Sequence, residues 1–223
     1  MPARLRPTAP IAASAVLVGD PGRALMLAQE LLEQPKMSNH ARGLWGYSGQ
    51  TPAGAELTIQ ATGIGGPSAA LVLDDLAELG VRRAVRVGTC TALGPELSPG
   101  TLLDVAEAHA WGGPGNGEGA VVHPDTELAR GLSEALGSRG RPGTVASLDV
   151  LHAGDAPAPV AVGDVADMQT AAILDRGREL GLAVAAVLIV TVGGDGSRLD
   201  EGGELDAAKR AGEAASDALS TSS

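Results

Sequence analysis

Short apolar runs alternate along the chain with segments in which apolar residues recur at helical spacing. The apolar runs predict strands at residues 14–19, 55–63, 82–88, 100–111, 143–150 and 182–194. The helical spacing predicts helices at residues 23–34, 67–80, 125–137, 165–181 and 203–219. Residues 112–119 and 152–164 are rich in glycine or proline and are predicted to be loops.

This order of elements predicts one α/β domain over residues 1–223, built around a largely central sheet. The sequence shows no internal repeat and no linker that would divide it. Residues 1–13 are expected to form a ragged start before the first strand, and the tail at residues 220–223 is expected to fray.

Composition and charge narrow the possible partners. Hydrophobic residues make up 44% of the chain and aromatic residues only 1%, with no Phe, so Ala, Val, Leu and Ile must build the core. The formal net charge of −11 repels nucleic acid and anionic membranes, and we expect neither as a partner.

The single cysteine, Cys90, excludes an intramolecular disulfide and suits a reducing cytoplasm, the expected location. The four histidines show no metal-ligand spacing, so no metal is expected.

Three predicted strands are followed by residues that can bind an anion. The first loop carries Gly19 and Arg23, the second is the glycine-rich TGIGGPS, and the third carries Arg86 and Thr89. Because the carboxyl ends of parallel strands meet at one edge of a sheet, these loops predict a phosphate cradle. Two alternatives stay open: Arg23 as an ordinary solvated helix residue, and Arg86 paired with a core carboxylate such as Asp104.

Four motifs in this order closely resemble the nucleoside phosphorylase family of purine nucleoside and uridine phosphorylases. They are VGDPGR, SNHARGLWGYSG, TGIGGPSAALVLDDLAELGV and RVGTCTALG, and the resemblance runs from about Val16 to Asp104. It weakens over residues 105–164 and returns in VADMQTAAILDRGRELGLAVAAVLIVTV. The resemblance implies a single α/β domain with a central mixed, partly barrel-like sheet. It also implies cleavage of a nucleoside by inorganic phosphate, the co-substrate, into base and pentose 1-phosphate, with no other cofactor.

The resemblance assigns roles to individual residues. It implies phosphate contacts at Gly19, Arg23, Arg86 and Thr89, with Arg86 holding the nucleophile. It implies that Arg42 reaches the site of a neighbouring subunit, in a homodimer or homohexamer. On the ribose and base side it points to Cys90, Thr91, Asp167, Met168 and Gln169.

The chain departs from the family pattern in its second half. Gln169 stands where the family has a glutamate that holds the ribose hydroxyls, and Gly193 and Gly194 replace a Ser-Asp pair whose Asp protonates the base. Asp195 follows one residue late and is the candidate general acid. The leading hypothesis is a phosphorylase with an altered base pocket. A catalytically silent phosphate or nucleoside binder is the main alternative, and a nucleoside hydrolase is the third.

Overall fold

The computed structural model describes residues 2–111, 120–149 and 163–221. In these ranges the strands are β1 Ser14–Val18, β2 Glu33–Asn39, β3 Gly46–Gln50, β4 Glu56–Ala61, β5 Arg83–Ala92, β6 Leu102–Trp111, β7 Ala120–Val122, β8 Gly140–Leu148, β9 Val165–Asp167 and β10 Ala183–Val192. The helices are α1 Pro21–Leu31, α2 Gly66–Glu78, α3 Thr126–Leu136, α4 Thr170–Glu179 and α5 Glu201–Ser220. The predicted loops at residues 112–119 and 152–164 lie almost wholly outside the described residues.

The strands form one mixed sheet that partly closes on itself. Its order is β10-β6-β8-β9-β5-β1-β4-β3-β2, and β10 also pairs with β5. That second pairing joins β10, β6, β8, β9 and β5 into a closed ring, while β1, β4, β3 and β2 extend from it as an open sheet. β5 is parallel to both β1 and β10. The structure therefore confirms the predicted single α/β domain with a mixed, partly barrel-like sheet.

Two apolar clusters, one on each face of the sheet, form the core from aliphatic residues. One cluster packs beneath α2 and α4, and the other beneath α1, α3 and α5. Helix α5 buries a face made mainly of alanine, which lets it approach α1 closely. At Gly212 even a Cβ atom would lie 2.6 Å from a methyl group of Leu27, so the two helices touch through glycine.

The predicted helix at residues 165–181 begins later than expected. Residues Val165–Asp167 form β9, which pairs with β5 and β8, and α4 begins only at Thr170. The Asp167 carboxylate accepts a hydrogen bond from the backbone N–H of Thr170 at 3.1 Å. This contact satisfies a donor that the helix itself leaves unpaired, so the strand passes directly into the helix. Strands β2 and β3, within residues 33–50, were not predicted.

Buried contacts hold the N-terminal segment against α2. The backbone N–H groups of Ala3, Arg4 and Leu5 donate to the Asp75 carboxylate at 3.1, 2.6 and 2.7 Å. Leu5 is itself buried in the core. Residues 2–13 contain no helix or strand, yet their first residues are anchored. Among the described residues, no helix is both long and apolar enough to span a membrane.

Candidate active site

A cavity of about 410 Å³ opens where β1, β4 and β5 end and α4 begins. We call it the pocket. The carboxyl ends of these parallel strands meet at one edge of the sheet, as the topology of open α/β sheets requires. Helices α1 and α2 also begin there. The predicted site residues that line the pocket are Gly19, Arg23, Arg86, Thr89, Asp167, Met168 and Gln169.

Four predicted site residues lie elsewhere. Arg42 lines a separate surface cavity, and Asp195 is exposed in the turn after β10. Cys90 and Thr91 lie further along β5 than the residues that line the pocket. Cys90 is buried, and burial raises the pKa of its thiol far above the usual range, with the nearby Asp167 charge adding to the effect. A thiol in this environment stays protonated and is a poor nucleophile.

Arg86 is almost fully buried, and its guanidinium is held by three side chains. Nε donates to Thr170 Oγ1 at 3.1 Å, Nη1 to Gln169 Oε1 at 2.7 Å and Nη2 to Asp167 Oδ2 at 2.9 Å. The carboxylate that pairs with Arg86 is thus Asp167, and not Asp104 as the sequence alternative suggested. Three of the five N–H donors of the guanidinium are used, so two remain for a ligand.

A glycine makes room for this guanidinium. A Cβ atom at Gly88 would lie 2.5 Å from Arg86 Nη2, which is far inside van der Waals contact. The spacing Arg-Val-Gly in β5 therefore serves the packing of the arginine. Thr89 follows, half-buried on the pocket wall, and its hydroxyl makes no hydrogen bond to the described part of the chain.

The Asp167 carboxylate is saturated with hydrogen bonds from the protein. Oδ1 accepts from Ser147 Oγ at 2.5 Å, while Oδ2 accepts from Arg86 and from Thr170 Oγ1, the latter at 2.6 Å. Ser147 Oγ in turn accepts from the backbone N–H of Ala171 at 2.9 Å. Asp167 therefore compensates the buried charge of Arg86 and fixes the start of α4.

Gln169 is also fully engaged, and it is nearly inaccessible to solvent. Its Oε1 accepts from Arg86 and from Thr62 Oγ1, at 2.7 and 3.3 Å. Its Nε2 donates to the carbonyl oxygens of Gly63 and Gly65, at 2.6 and 3.2 Å. The amide thus ties the loop after β4 to Arg86, and both ends of the amide are needed for these bonds.

Arg23 stands in the first turn of α1 and pairs with Glu204 of α5. Asp20 caps the same helix, since its Oδ1 accepts from the Arg23 backbone N–H at 2.7 Å. The two carboxylates offset the unfavourable position of an arginine at the positive end of a helix dipole. Arg23 also lines the pocket, while its guanidinium pairs with Glu204.

The comparison with known proteins agrees with the fold. A family model described as the phosphorylase superfamily matches residues 14–222. The chain belongs to the phosphorylase superfamily. It is 39% identical over 89 residues to a DeoD-type purine nucleoside phosphorylase from Oceanobacillus iheyensis, covering 40% of this chain and 37% of that protein. A second DeoD-type enzyme, from Caldanaerobacter subterraneus, is 39% identical over 88 residues, 39% of this chain and 38% of that protein. The matched segments span less than two fifths of these curated relatives.

Solved structures of the superfamily share the fold over nearly the whole chain. A purine nucleoside phosphorylase from Toxoplasma gondii in complex with immucillin-H matches with a TM-score of 0.84 and 21% identity. That match covers 94% of this chain and 90% of the other. A uridine phosphorylase from Vibrio fischeri matches with a TM-score of 0.80 and 22% identity, covering 94% and 92%. At this level of identity the similarity establishes the common fold.

The turn after β10 explains one departure from the superfamily pattern. A Cβ atom at Gly194 would lie 2.0 Å from the carbonyl oxygen of Gly94 and 2.9 Å from the backbone nitrogen of Pro95. Only glycine suits this place, so an aspartate cannot occupy it without moving one of the two loops. Asp195 is exposed, and hydrogen bonds from the Ser197 hydroxyl and backbone N–H lower the pKa of its carboxyl.

Two residues of the network around Arg86, Ser147 and Thr170, were not anticipated from sequence. Thr62 and Ile64 belong to the predicted TGIGGPS loop; Thr62 joins the same network, and Ile64 forms an exposed apolar rim of the pocket. The glycines after β4 were expected to supply backbone N–H groups, but the carbonyls of Gly63 and Gly65 turn towards Gln169. Ser147 and Thr170 carry no sequence signal that distinguishes them from ordinary strand and helix residues.

Proposed function

We propose that this chain cleaves the N-glycosidic bond of a nucleoside or nucleoside-like substrate with inorganic phosphate, giving the base and a pentose 1-phosphate. The observation that supports it is the gathering of Arg23, Arg86 and Thr89 on one pocket edge, where α1 and α2 begin. Helix N-termini and arginines together favour a phosphate dianion. The names of the relatives and structural neighbours, all nucleoside phosphorylases, point the same way.

The buried network would prepare Arg86 for this task. Because Asp167, Gln169 and Thr170 hold three of its donors, the guanidinium need not reorganise when phosphate arrives. Its two remaining N–H groups, Arg23 and the Thr89 hydroxyl would hold the phosphate. Each charge-assisted hydrogen bond contributes about 1.5–3 kcal/mol.

In the proposed step a phosphate oxygen forms a bond to the anomeric carbon of the sugar while the bond to the base nitrogen breaks. The base leaves with the electron pair of that bond and must gain a proton or carry the charge. Asp195 is exposed, and its lowered pKa favours the ionised form near neutral pH, which has no proton to give to the leaving base. We therefore infer that nucleosides with a good leaving base are favoured over ordinary purine nucleosides.

Arg42 is proposed to complete the phosphate site of a neighbouring subunit, in a homodimer or homohexamer. It is exposed on the 3₁₀ turn Ala41–Gly43, away from the pocket of its own chain. An exposed arginine on a tight turn is free to reach a second copy. The proposal predicts that a dissociated single chain would be much less active than the assembled protein.

The test is base release from a panel of purine and pyrimidine nucleosides, each with and without phosphate. We expect release only with phosphate. Arg23→Ala should lower kcat/KM roughly tenfold or more, since one charge-assisted contact is lost. Arg141→Ala is the matched control, because Arg141 is exposed at the start of β8 and far from the pocket residues in the sheet. Arg86→Ala is less informative because it would leave the buried Asp167 unpaired.

A catalytically silent binder is the second candidate function. The saturated amide of Gln169 and the crowded position of Gly194 favour it, because the family resemblance places a ribose-binding glutamate at the first position and the general acid at the second. This candidate predicts that phosphate raises Tm while no nucleoside of the panel is cleaved. Base release that does not depend on phosphate would instead indicate hydrolysis and would contradict the proposed phosphorolysis.

A further inference from the structure

A second concave site lies on the surface, between the N-terminal segment and the turn after β2. We call it the basic cleft. Its volume is about 400 Å³, and it is lined by Arg4, Arg6, Thr8, His40, Ala41 and Arg42. A cleft of this volume lies within the range of small-molecule sites. None of these residues lines the pocket.

Buried polar groups fix the N-terminal wall of the basic cleft. The Asp75 carboxylate is 1% exposed and accepts the backbone N–H groups of Ala3, Arg4 and Leu5. Arg4 Nη1 also approaches Asp75 Oδ1, at 3.4 Å. Leu5 is buried, whereas Arg6 beside it is exposed and Arg4 is partly exposed.

One buried side chain joins the two walls. Asn39 is fully buried; its Oδ1 accepts from the backbone N–H of Arg6 at 2.8 Å, and its Nδ2 donates to the carbonyl oxygens of Ala41 and Leu44 at 3.3 and 2.5 Å. The segment that carries Arg6 and the turn that carries Arg42 are therefore held together by the same amide. The basic cleft is a built feature of the fold and not a chance approach of flexible ends.

Arg4 has Asp75 as an ion-pair partner, but the other two arginines that line the basic cleft have none in the described part of the chain. Arg6 and Arg42 are exposed, and neither has an ion-pair partner among the described residues, although the whole chain carries a net charge of −11. Arg42 also has left-handed backbone angles, φ 60° and ψ 17°, which non-glycine residues adopt at an energetic cost. Two exposed arginines that line one cleft and lack carboxylate partners leave positive charge available for an anion.

We propose that the basic cleft binds the phosphate group of a small phosphorylated molecule. Paired guanidinium groups match phosphate oxygens in geometry and in charge. The acidic chain as a whole repels nucleic acid, so the ligand is a small molecule. The inference rests on the proposed function only through Arg42. If Arg42 reaches the pocket of a neighbouring subunit, Arg4 and Arg6 lie beside that pocket too, and the bound phosphate group is part of the substrate. If Arg42 does not reach that pocket, the phosphate group is part of a separate ligand.

The test is titration calorimetry of the full chain with ribose 5-phosphate and with pyrophosphate at low salt. Arg6→Glu is the decisive variant, because only the backbone of Arg6 contacts Asn39 and its side chain can change without loss of that anchor. Arg210→Glu makes the same charge change on the exposed side of α5 and is the control. We expect Arg6→Glu to weaken binding at least about tenfold and Arg210→Glu to change it less than about twofold.

Equal affinity of wild type and Arg6→Glu for both compounds would overturn the proposal. A comparison of the turnover of a nucleoside with that of its 5′-monophosphate distinguishes the two possible sources of the phosphate group. A preference for the monophosphate that Arg6→Glu removes assigns the group to the substrate, and binding without such a preference assigns it to a separate ligand. Calorimetry measures binding to the basic cleft even if no nucleoside is cleaved. Failure of the proposed function and failure of this inference therefore give different results.

Discussion

The side-chain amide of Gln169 donates two hydrogen bonds that a carboxylate at the same position could not donate. Its Nε2 faces the carbonyl oxygens of Gly63 and Gly65, while its Oε1 faces Arg86. A glutamate would keep the contact with Arg86 but would place a negative oxygen against two carbonyl oxygens. The loop after β4 therefore suits a glutamine at residue 169 and does not suit the glutamate that the family resemblance implied.

Gln169→Glu is predicted to destabilise the protein and not to improve nucleoside binding. Two hydrogen bonds are lost and the Gly63 carbonyl is left without a donor, while the Gly65 carbonyl keeps its bond from the Ala69 backbone N–H. This loss should lower the free energy of unfolding by about 1–3 kcal/mol. Urea denaturation at pH 7 measures the change in stability, and nucleoside titration measures affinity. A variant as stable as wild type that binds ribonucleosides more tightly would show that Gln169 is free to contact the sugar.

Arg42→Gly is predicted to stabilise the chain while weakening anion binding. Glycine adopts the left-handed conformation of residue 42 without the steric cost that arginine bears, and the expected net gain is about 0.5–1 kcal/mol after the greater freedom of the unfolded chain is counted. Denaturation of Arg42→Gly beside Arg42→Ala separates backbone from side-chain effects. If the alanine variant were the more stable of the two, the left-handed backbone would not be a source of strain.

At the scale of elements, two turns touch at the position where the family resemblance implied a general acid. The turn after β10 and the turn between β5 and β6 touch at Gly194 and Gly94. The two strands are parallel neighbours, so their carboxyl ends carry these turns to the same edge of the sheet. Their close approach removes the space that a side chain at residue 194 would need.

Gly194→Ala is predicted to be strongly destabilising, on the order of 2–4 kcal/mol, because the new methyl group would overlap the Gly94 carbonyl. Gly94→Ala is the matched control, since a Cβ at Gly94 meets open space. Thermal denaturation of the two variants should show a large fall in Tm for the first and a small change for the second. Equal Tm values would mean that the two turns separate easily.

At the scale of the whole molecule, an acidic chain places five of its arginines in two concave sites. The pocket holds Arg23 and Arg86 with carboxylate partners, whereas Arg6 and Arg42 stand in the basic cleft without partners in the described part of the chain. The net charge of −11 repels anions at long range, so local clusters of this kind are needed to bind them. Salt should weaken binding more at the exposed cleft than in the pocket.

The pH dependence of stability should reflect the buried Asp104. Burial raises the pKa of its carboxyl above the ordinary value, while Ser133 partly opposes this, and Oδ1 has no hydrogen-bond partner among the described residues. A raised folded-state pKa means that stability falls as pH rises from the unfolded pKa through the folded one. Asp104→Asn should therefore gain stability over wild type at pH 7 and lose that gain towards pH 4. Denaturation at both values tests this, and a pH-independent difference would contradict it.

The sheet topology made some contacts of the site predictable from sequence, whereas contacts between particular side chains far apart in sequence could not be predicted. The meeting of the loops with Gly19, Arg23 and Arg86 was predictable, because parallel strands end at a common edge. The pairing of Arg86 with Asp167 was not, since the two lie far apart in sequence and β9 is only three residues long. The anchor at Asp75 was hidden because an acidic residue on a helix normally faces solvent.

The most direct test of the central claim is ³¹P NMR of the protein with phosphate and a nucleoside that the panel shows to be cleaved. Phosphorolysis transfers the phosphorus to the sugar, so the account predicts a new pentose 1-phosphate resonance that grows in step with the released base and requires Arg23. Release of base with free pentose and an unchanged phosphate resonance would contradict the account and identify water as the nucleophile.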